Sequence, residues 1–347
     1  MKVDIRTKKQ NDTLNILKGV SCFLIVWMHC NSGSIMDSVI ACIARFGIPV
    51  FFMVSGFFTY KPSMDNYTKL LCKKTIHILK YIIIASIIYL LWYWYLYPTI
   101  NNSKPDSLLR YLSPLFSKKG LFNLLVLNVN PFGGILWFLN ALLYCYLIWF
   151  LLSKINRKKI IYILTLIILL GGIALRGFVH MKQLMPEEIS INYFRNWLFM
   201  GLPFFIIGYA INENKEIITK LFDEKILLII AGVGLVFSFI ERIVVPLELF
   251  YGTVVVSIAL FVFAIKKPDA NRIPVISKTG EKFCFTIYIM HPIVRDIIKI
   301  YFSKRGISDN KVIGFILPII VFMICFLISE LIYLAINQIS KIKVGEN

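Results

Sequence analysis

Residues 15–30 read NILKGVSCFLIVWMHC, an apolar run that holds Lys18 near its start and His29 near its end. An ionisable group inside a membrane span is expensive, roughly 2.5 to 3.5 kcal/mol for a central lysine on insertion scales, so a span with two of them is a candidate functional site. On a helix that rises ~1.5 Å and turns about 100° per residue, the two lie ~16 Å apart along the axis and on nearly the same face. One face of one helix therefore presents a fixed cation and, about half a bilayer further on, a titratable imidazole.

Of the 347 residues 58% are hydrophobic, too many for soluble domains, and several runs reach the ~20 residues that cross ~30 Å of hydrocarbon. The class this implies is a polytopic membrane protein. A formal charge of +19 on its own would suit nucleic acid. The lysines and arginines instead cluster in loops between apolar runs, a positive-inside pattern rather than a nucleic-acid-binding face. The seven cysteines lie mostly inside apolar runs and show no zinc-site spacing, so free thiols packed among helices, and no metal, are expected. Lys2, Arg6, Lys8 and Lys9 precede the first run as in a signal peptide. No small-residue cleavage site follows, and the run reads as an uncleaved first span.

Ten candidate spans emerge, at 14–32, 38–58, 77–97, 133–152, 159–176, 194–212, 225–241, 249–265, 281–302 and 311–337. The expected fold is an all-α integral membrane bundle of about ten transmembrane helices, one domain over 1–347 with a polar cavity around the first span. An even number puts both termini on one side. Lys69, Lys73, Lys74, Lys154, Arg157, Lys158, Lys266 and Lys267 fall on that side and outnumber the basic residues opposite. The tails 1–13 and 338–347 are therefore expected in the cytoplasm. The loops 98–132 and 177–193 fall outside, and the first contains a short apolar piece at 120–129 that reads as interfacial or re-entrant.

The first span carries a basic residue, ten intervening residues and a histidine; FGIPVFFMVSGFF follows at 46–58, LWFL at 136–139, LPFFIIGYA at 202–210 and TIYIMHP at 286–292. This ordered set resembles the membrane acyltransferase family 3, whose usual first motif is Arg-x10-His, with Lys18 here in the arginine's place. The resemblance implies a membrane-bound O-acyltransferase, most of all an O-acetyltransferase. Its donor would be cytoplasmic acyl-CoA such as acetyl-CoA, and its acceptor a hydroxyl of a cell-envelope or exported glycan. It further implies the cytoplasmic membrane as the location, with membrane lipid, the glycan acceptor and envelope-polysaccharide biosynthesis proteins as partners. The rival class is a transporter or flippase, in which Lys18, His29 and Glu330 would line a proton or substrate path; the broken helices and repeats of such folds are not evident in the sequence.

The resemblance makes His29 the general base, and an imidazole that titrates near neutrality can take the proton of an attacking hydroxyl; the alternative is an interhelical hydrogen bond. Lys18 either acts on the donor through its charge or snorkels to the headgroups. Lys73 and Lys74 would attract a polyanionic nucleotide. Arg45 is either an oxyanion stabiliser or an interfacial anchor, and Asp296 is a candidate to orient His29 by accepting its second N–H. Glu330 lies at a depth where it could neutralise Lys18. His291, beside Pro292, is either polar packing or a substrate contact. Trp137 and Asn140, with Tyr144 one turn on, form a stripe that either packs, lies in an aromatic belt or meets the acceptor. Ser55 lacks the GxSxG surroundings of a nucleophile elbow, and Ser55 and Gly56 read as small residues for close helix packing.

Overall fold

The computed structural model describes residues 11–30, 35–62, 67–245, 247–269, 273–307 and 311–345, and every regular element among them is helical. The longer helices are α1 (Asp12–His29), α2 (Ile35–Ala44), α3 (Gly47–Phe57), α4 (Tyr67–Leu91), α5 (Trp137–Leu152), α6 (Lys158–Met181), α7 (Leu202–Glu213), α8 (Glu224–Val244), α9 (Tyr251–Lys266), α10 (Cys284–Lys304) and α11 (Lys311–Gly345). The start of α1 is set by Asn11, whose side chain accepts the Leu14 N–H at 2.7 Å and so satisfies one of the donors that a first turn leaves open. Its end is Cys30, whose N–H returns to the Val26 and Trp27 carbonyls.

Each of the ten runs holds a helix. Among the described residues six are long and apolar enough to cross a membrane: Met36–Phe57, Tyr67–Ile100, Gly134–Leu152, Lys158–Met181, Glu224–Val244 and Val312–Ile339. Trp197–Glu213 and Tyr251–Lys266 are shorter apolar helices. The two that remain are α1, diluted by Lys18 and His29, and α10, diluted by His291, Arg295 and Asp296. The chain is a multi-pass membrane protein, and its two least apolar long helices carry Lys18, His29, His291, Arg295 and Asp296.

Two runs differ in detail from the expectation. The run at 38–58 breaks at Arg45 and Phe46 into α2 and α3, because Pro49 has no N–H to donate to the Arg45 carbonyl four residues back. The run at 77–97 is the middle of a longer helix that begins at Tyr67 and reaches Ile100 through a π-helical turn at Trp92–Leu96. Lys69, Lys73, Lys74, His77 and Lys80 make its first turns too polar to register as a span, and at ~1.5 Å per residue the whole far exceeds ~30 Å of hydrocarbon. The piece at 120–129 is a short helix, Lys118–Leu125, followed by irregular chain.

The chain forms two compact units, 1–47 with 221–232 and 256–347, and 48–220 with 233–255. In the first, α1 packs against α2, α10, α11 and the segment 274–283. Gly19 and Gly280 face each other across the seam between α1 and that segment. A β-carbon at Gly280 would overlap the Asn15 carbonyl oxygen and lie 2.9 Å from Gly19 N, and one at Gly19 would lie 2.8 Å from Ile276 Cγ2. The two backbones are in contact, as small residues allow in membrane helices. In the second unit α3 and α7 meet in the same manner: a β-carbon at Gly56 would lie 2.7 Å from Phe205 C, and one at Gly208 2.6 Å from Met53 C. Ser55 Oγ donates to the Phe51 carbonyl of its own helix at 2.9 Å.

Candidate active site

The seam of α1 with α10 starts at the glycine pair and ends at a cluster of polar groups. Next to Gly19, Lys18 is half-buried, and its ammonium donates to Asn15 Oδ1 at 3.1 Å. Cys284, the first residue of α10, places its thiol 3.6 Å from the Lys18 carbonyl oxygen. Glu330, which depth alone matched to Lys18, accepts instead from Lys278 at 2.7 and 2.8 Å. Lys278 precedes a π-helical turn, Thr279–Phe283, that puts it opposite α11; the expected Lys18–Glu330 pairing is thereby replaced.

At the other end of the seam, the His29 and His291 rings lie 5.2 Å apart between centroids, tilted by 40°. His291 is fully buried, and its Nδ1 lies 3.0 Å from the Ile287 carbonyl oxygen. Arg295 spends its fork on two partners: Nε and Nη2 donate to Asp296 Oδ1 at 2.8 and 2.6 Å, and Nη1 donates to the His29 carbonyl oxygen at 3.0 Å. The guanidinium thus pins the last turn of α1 to α10, at the helix end where a cation is favoured. Asp296 joins the cluster through Arg295, while the ring beside His29 is that of His291. Two residues before His29, Trp27 Nε1 donates to buried Asp37 Oδ1 at 3.3 Å. Arg45 sits half-buried in the turn after α2.

This unit therefore brings His29, His291, Arg295 and Asp296 together, with Lys18 ~16 Å away along α1. Arg295 and Asp37 escaped the sequence reading as site residues. The signal for Asp37 was an acid at the edge of an apolar run; that for Arg295 was the fixed neighbour of Asp296. Among the described residues no three His, Cys, Asp or Glu side chains gather as a metal-binding group.

The other candidates lie in the second unit. Lys74 donates to the Phe58 carbonyl at 2.8 Å and to Thr59 Oγ1 at 3.0 Å, so its ammonium caps the end of α3, whereas Lys73 is exposed. Asn140 is buried and donates to the Asn128 carbonyl at 3.3 Å. Asn128 in turn donates to the Trp137 carbonyl at 3.1 Å and accepts the Trp197 N–H at 2.9 Å, so this stripe ties the 98–132 loop to α5. The Trp137 ring carries the Arg195 guanidinium at 5.3 Å. A further ion pair, absent from the sequence reading, joins Arg176 Nε to Glu248 Oε2 at 3.3 Å with side chains only 3% and 14% exposed. It borders a small pocket lined also by Phe194, Arg195 and Phe199.

Comparison with curated proteins and with solved structures returned no match for the chain. The family model described as an acyltransferase domain, that of the acyltransferase 3 family, matches residues 11–334 and so contains α1, α10 and the whole polar cluster between them. With that match over nearly its full length, the chain belongs to the acyltransferase 3 family and is a membrane acyltransferase that transfers groups other than amino-acyl groups.

Proposed function

We propose that the chain is an O-acyltransferase of the cytoplasmic membrane that moves an acetyl group from cytoplasmic acetyl-CoA to a hydroxyl of an envelope or exported glycan. The observation that carries this reading is the arrangement along α1, with an ammonium at one end of the seam and, at the other, an imidazole beside the His291 ring on a backbone that Arg295 holds. His29 takes the proton of the acceptor hydroxyl as its oxygen attacks the thioester carbonyl. The tetrahedral intermediate then expels the CoA thiolate, which receives that proton from His29. Arg45 is assigned to the oxyanion. Lys18 attracts the donor's phosphates as a point charge, without the bidentate fork of the family's usual arginine. The ~16 Å from Lys18 to His29 suits a donor whose thioester hangs on an extended arm. Lys73 serves the approach of the nucleotide; Trp137, Asn140 and His291 were the sequence candidates for the acceptor, and of these Trp137, beneath Arg195, is retained.

Ten crossings with both termini cytoplasmic find support in the helix pairings inside each unit. Gly19 with Gly280 and His29 with His291 rise together, so α1 and α10 run parallel. Phe23 with Phe322 and Trp27 with Phe315 descend, so α1 and α11 run antiparallel, and Tyr67 with Trp149 and Gly133 with Tyr89 give α4 and α5 the same opposed sense. Alternating spans one, nine and ten, and three and four, require these directions.

The test is mass spectrometry of envelope glycans from cells with and without the gene. Loss of one O-acyl group is expected. An unchanged glycan profile, together with proton-driven solute movement in proteoliposomes, would replace this reading by the transporter.

A further inference from the structure

His291 lies inside α10 just before Pro292 and is fully buried. Its Nδ1 faces the Ile287 carbonyl oxygen at 3.0 Å. A carbonyl oxygen only accepts, so Nδ1 carries the proton and donates. In that tautomer Nε2 holds a lone pair and is an acceptor. Nε2 is buried and meets no hydrogen-bond partner among the described residues. A buried acceptor without a donor costs ~1–3 kcal/mol, and a second proton in its place would bury an unsatisfied N–H. The site is shaped to receive a donor.

The His29 ring on α1 lies 5.2 Å from the His291 ring between centroids. Arg295 ties the His29 backbone to α10 through Nη1, while its Nε and Nη2 donate to Asp296. We infer that His291 is the positioning residue for His29: a small rotation brings the His29 N–H onto His291 Nε2, which leaves the other His29 nitrogen unprotonated and directed at the acceptor hydroxyl. The inference rests on His29 being the base, and gives His291 the place that the sequence offered to Asp296. The proton balance is simple. The lone pair of His29 takes the hydroxyl proton while the oxygen–acyl bond forms, its opposite N–H stays on His291 Nε2, and the accepted proton leaves with the thiolate. His291 keeps its own proton on Nδ1 throughout.

Two substitutions separate this role from packing. In His291→Gln the amide oxygen falls near the place of Nε2 and keeps an acceptor there. His291→Asn keeps an amide N–H for the Ile287 carbonyl and puts nothing at Nε2. The full chain in nanodiscs is assayed for acetyl-CoA turnover with water as acceptor. Relative to wild type, kcat is expected to stay within about threefold for Gln and to fall by about tenfold or more for Asn, with the acetyl-CoA KM within about twofold in both. In a His29→Ala background neither substitution lowers the residual rate further, because His291 acts through His29. Equal kcat in the Gln and Asn variants, a change confined to KM, or a full additional loss in the His29→Ala background each overturns the inference. If His291→Asn does not fold, Gln alone decides: a kcat below about a tenth of wild type refutes it. A His29→Ala protein that retains its rate refutes the base assignment itself, and a wild type that leaves acetyl-CoA intact overturns the donor reading and this inference with it.

Discussion

Gly280→Ala puts the seam between α1 and the segment 274–283 to a direct test. Ordinary contact for a β-carbon begins at 3.4 Å, and the new methyl would stand 2.9 Å from Gly19 N, so the seam must open by at least 3.4 − 2.9 = 0.5 Å, and further to clear the Asn15 carbonyl oxygen. Both obstacles are backbone and have no rotamer to retreat into. Overpacking of this kind typically costs ~1–3 kcal/mol. Gly171→Ala is the control: nothing lies within 4 Å of its β-carbon in α6, and glycine inside a helix is ~0.5–1 kcal/mol worse than alanine. The two variants should therefore differ by roughly 1.5 to 4 kcal/mol in opposite directions from wild type. Gly280→Ala should also lose turnover, because misplacement of reacting groups by ~1 Å costs on the order of 10²-fold. Thermal unfolding followed by tryptophan fluorescence in nanodiscs, with acetyl-CoA turnover on the same samples, reads both. A Gly280→Ala protein as stable and as active as Gly171→Ala would show that the two backbones are not in contact.

His29→Ala should leave a folded protein whose transfer rate has dropped by ~10² or more, the minimum for loss of a general base; retention of a tenth of the rate in a turnover assay would remove His29 from the mechanism. Lys18→Arg should keep most activity and Lys18→Met should raise the KM for acetyl-CoA, whereas equal constants in all three proteins would mean that the ammonium only snorkels. Single cysteines at Ser103 and Lys182, both exposed, should react with an impermeant maleimide in intact cells that express a cysteine-depleted protein, and reaction only after lysis would invert the topology. Arg176→Met should destabilise by ~3–5 kcal/mol in a thermal or denaturant assay, since it strands Glu248; a change under ~1 kcal/mol would place that pair in water.

The sequence displayed α1 because a lysine and a histidine stand out in an apolar run, and turn for turn their spacing survives in the structure. Its apolar runs each hold a helix, six of them among the described residues long and apolar enough to cross a membrane, and α4 starts earlier than its run because lysines mask its first turns. Among the described residues the π-helical turns at Trp92–Leu96, Trp197–Gly201 and Thr279–Phe283 left no such mark. Their registers are set by what they pack on, and the last of them decides that Lys278, not Lys18, meets Glu330. Side-chain partners were the least legible feature. Asp296 and His291 lie five residues apart on α10, and which one meets His29 depends on how α10 is turned about its axis, a matter of packing at Gly19 and Gly280 rather than of composition. Lys73 and Lys74 look alike in sequence, yet one faces out and the other caps α3.

A seam made of two backbones has mechanical consequences. Side chains at an interface let helices slide by exchanging rotamers, but Gly19 and Gly280 leave nothing to exchange, and Arg295 fastens the far end. Held at both ends, α1 and α10 form a stiff beam, and the interval between the ammonium of Lys18 and the imidazole of His29 is a fixed ruler rather than an adjustable gap. A carrier that alternates its access needs its substrate-lining helices to part. In this unit the pair that carries the polar groups is joined by backbone contact at one end and by a guanidinium at the other, an arrangement that opposes such parting.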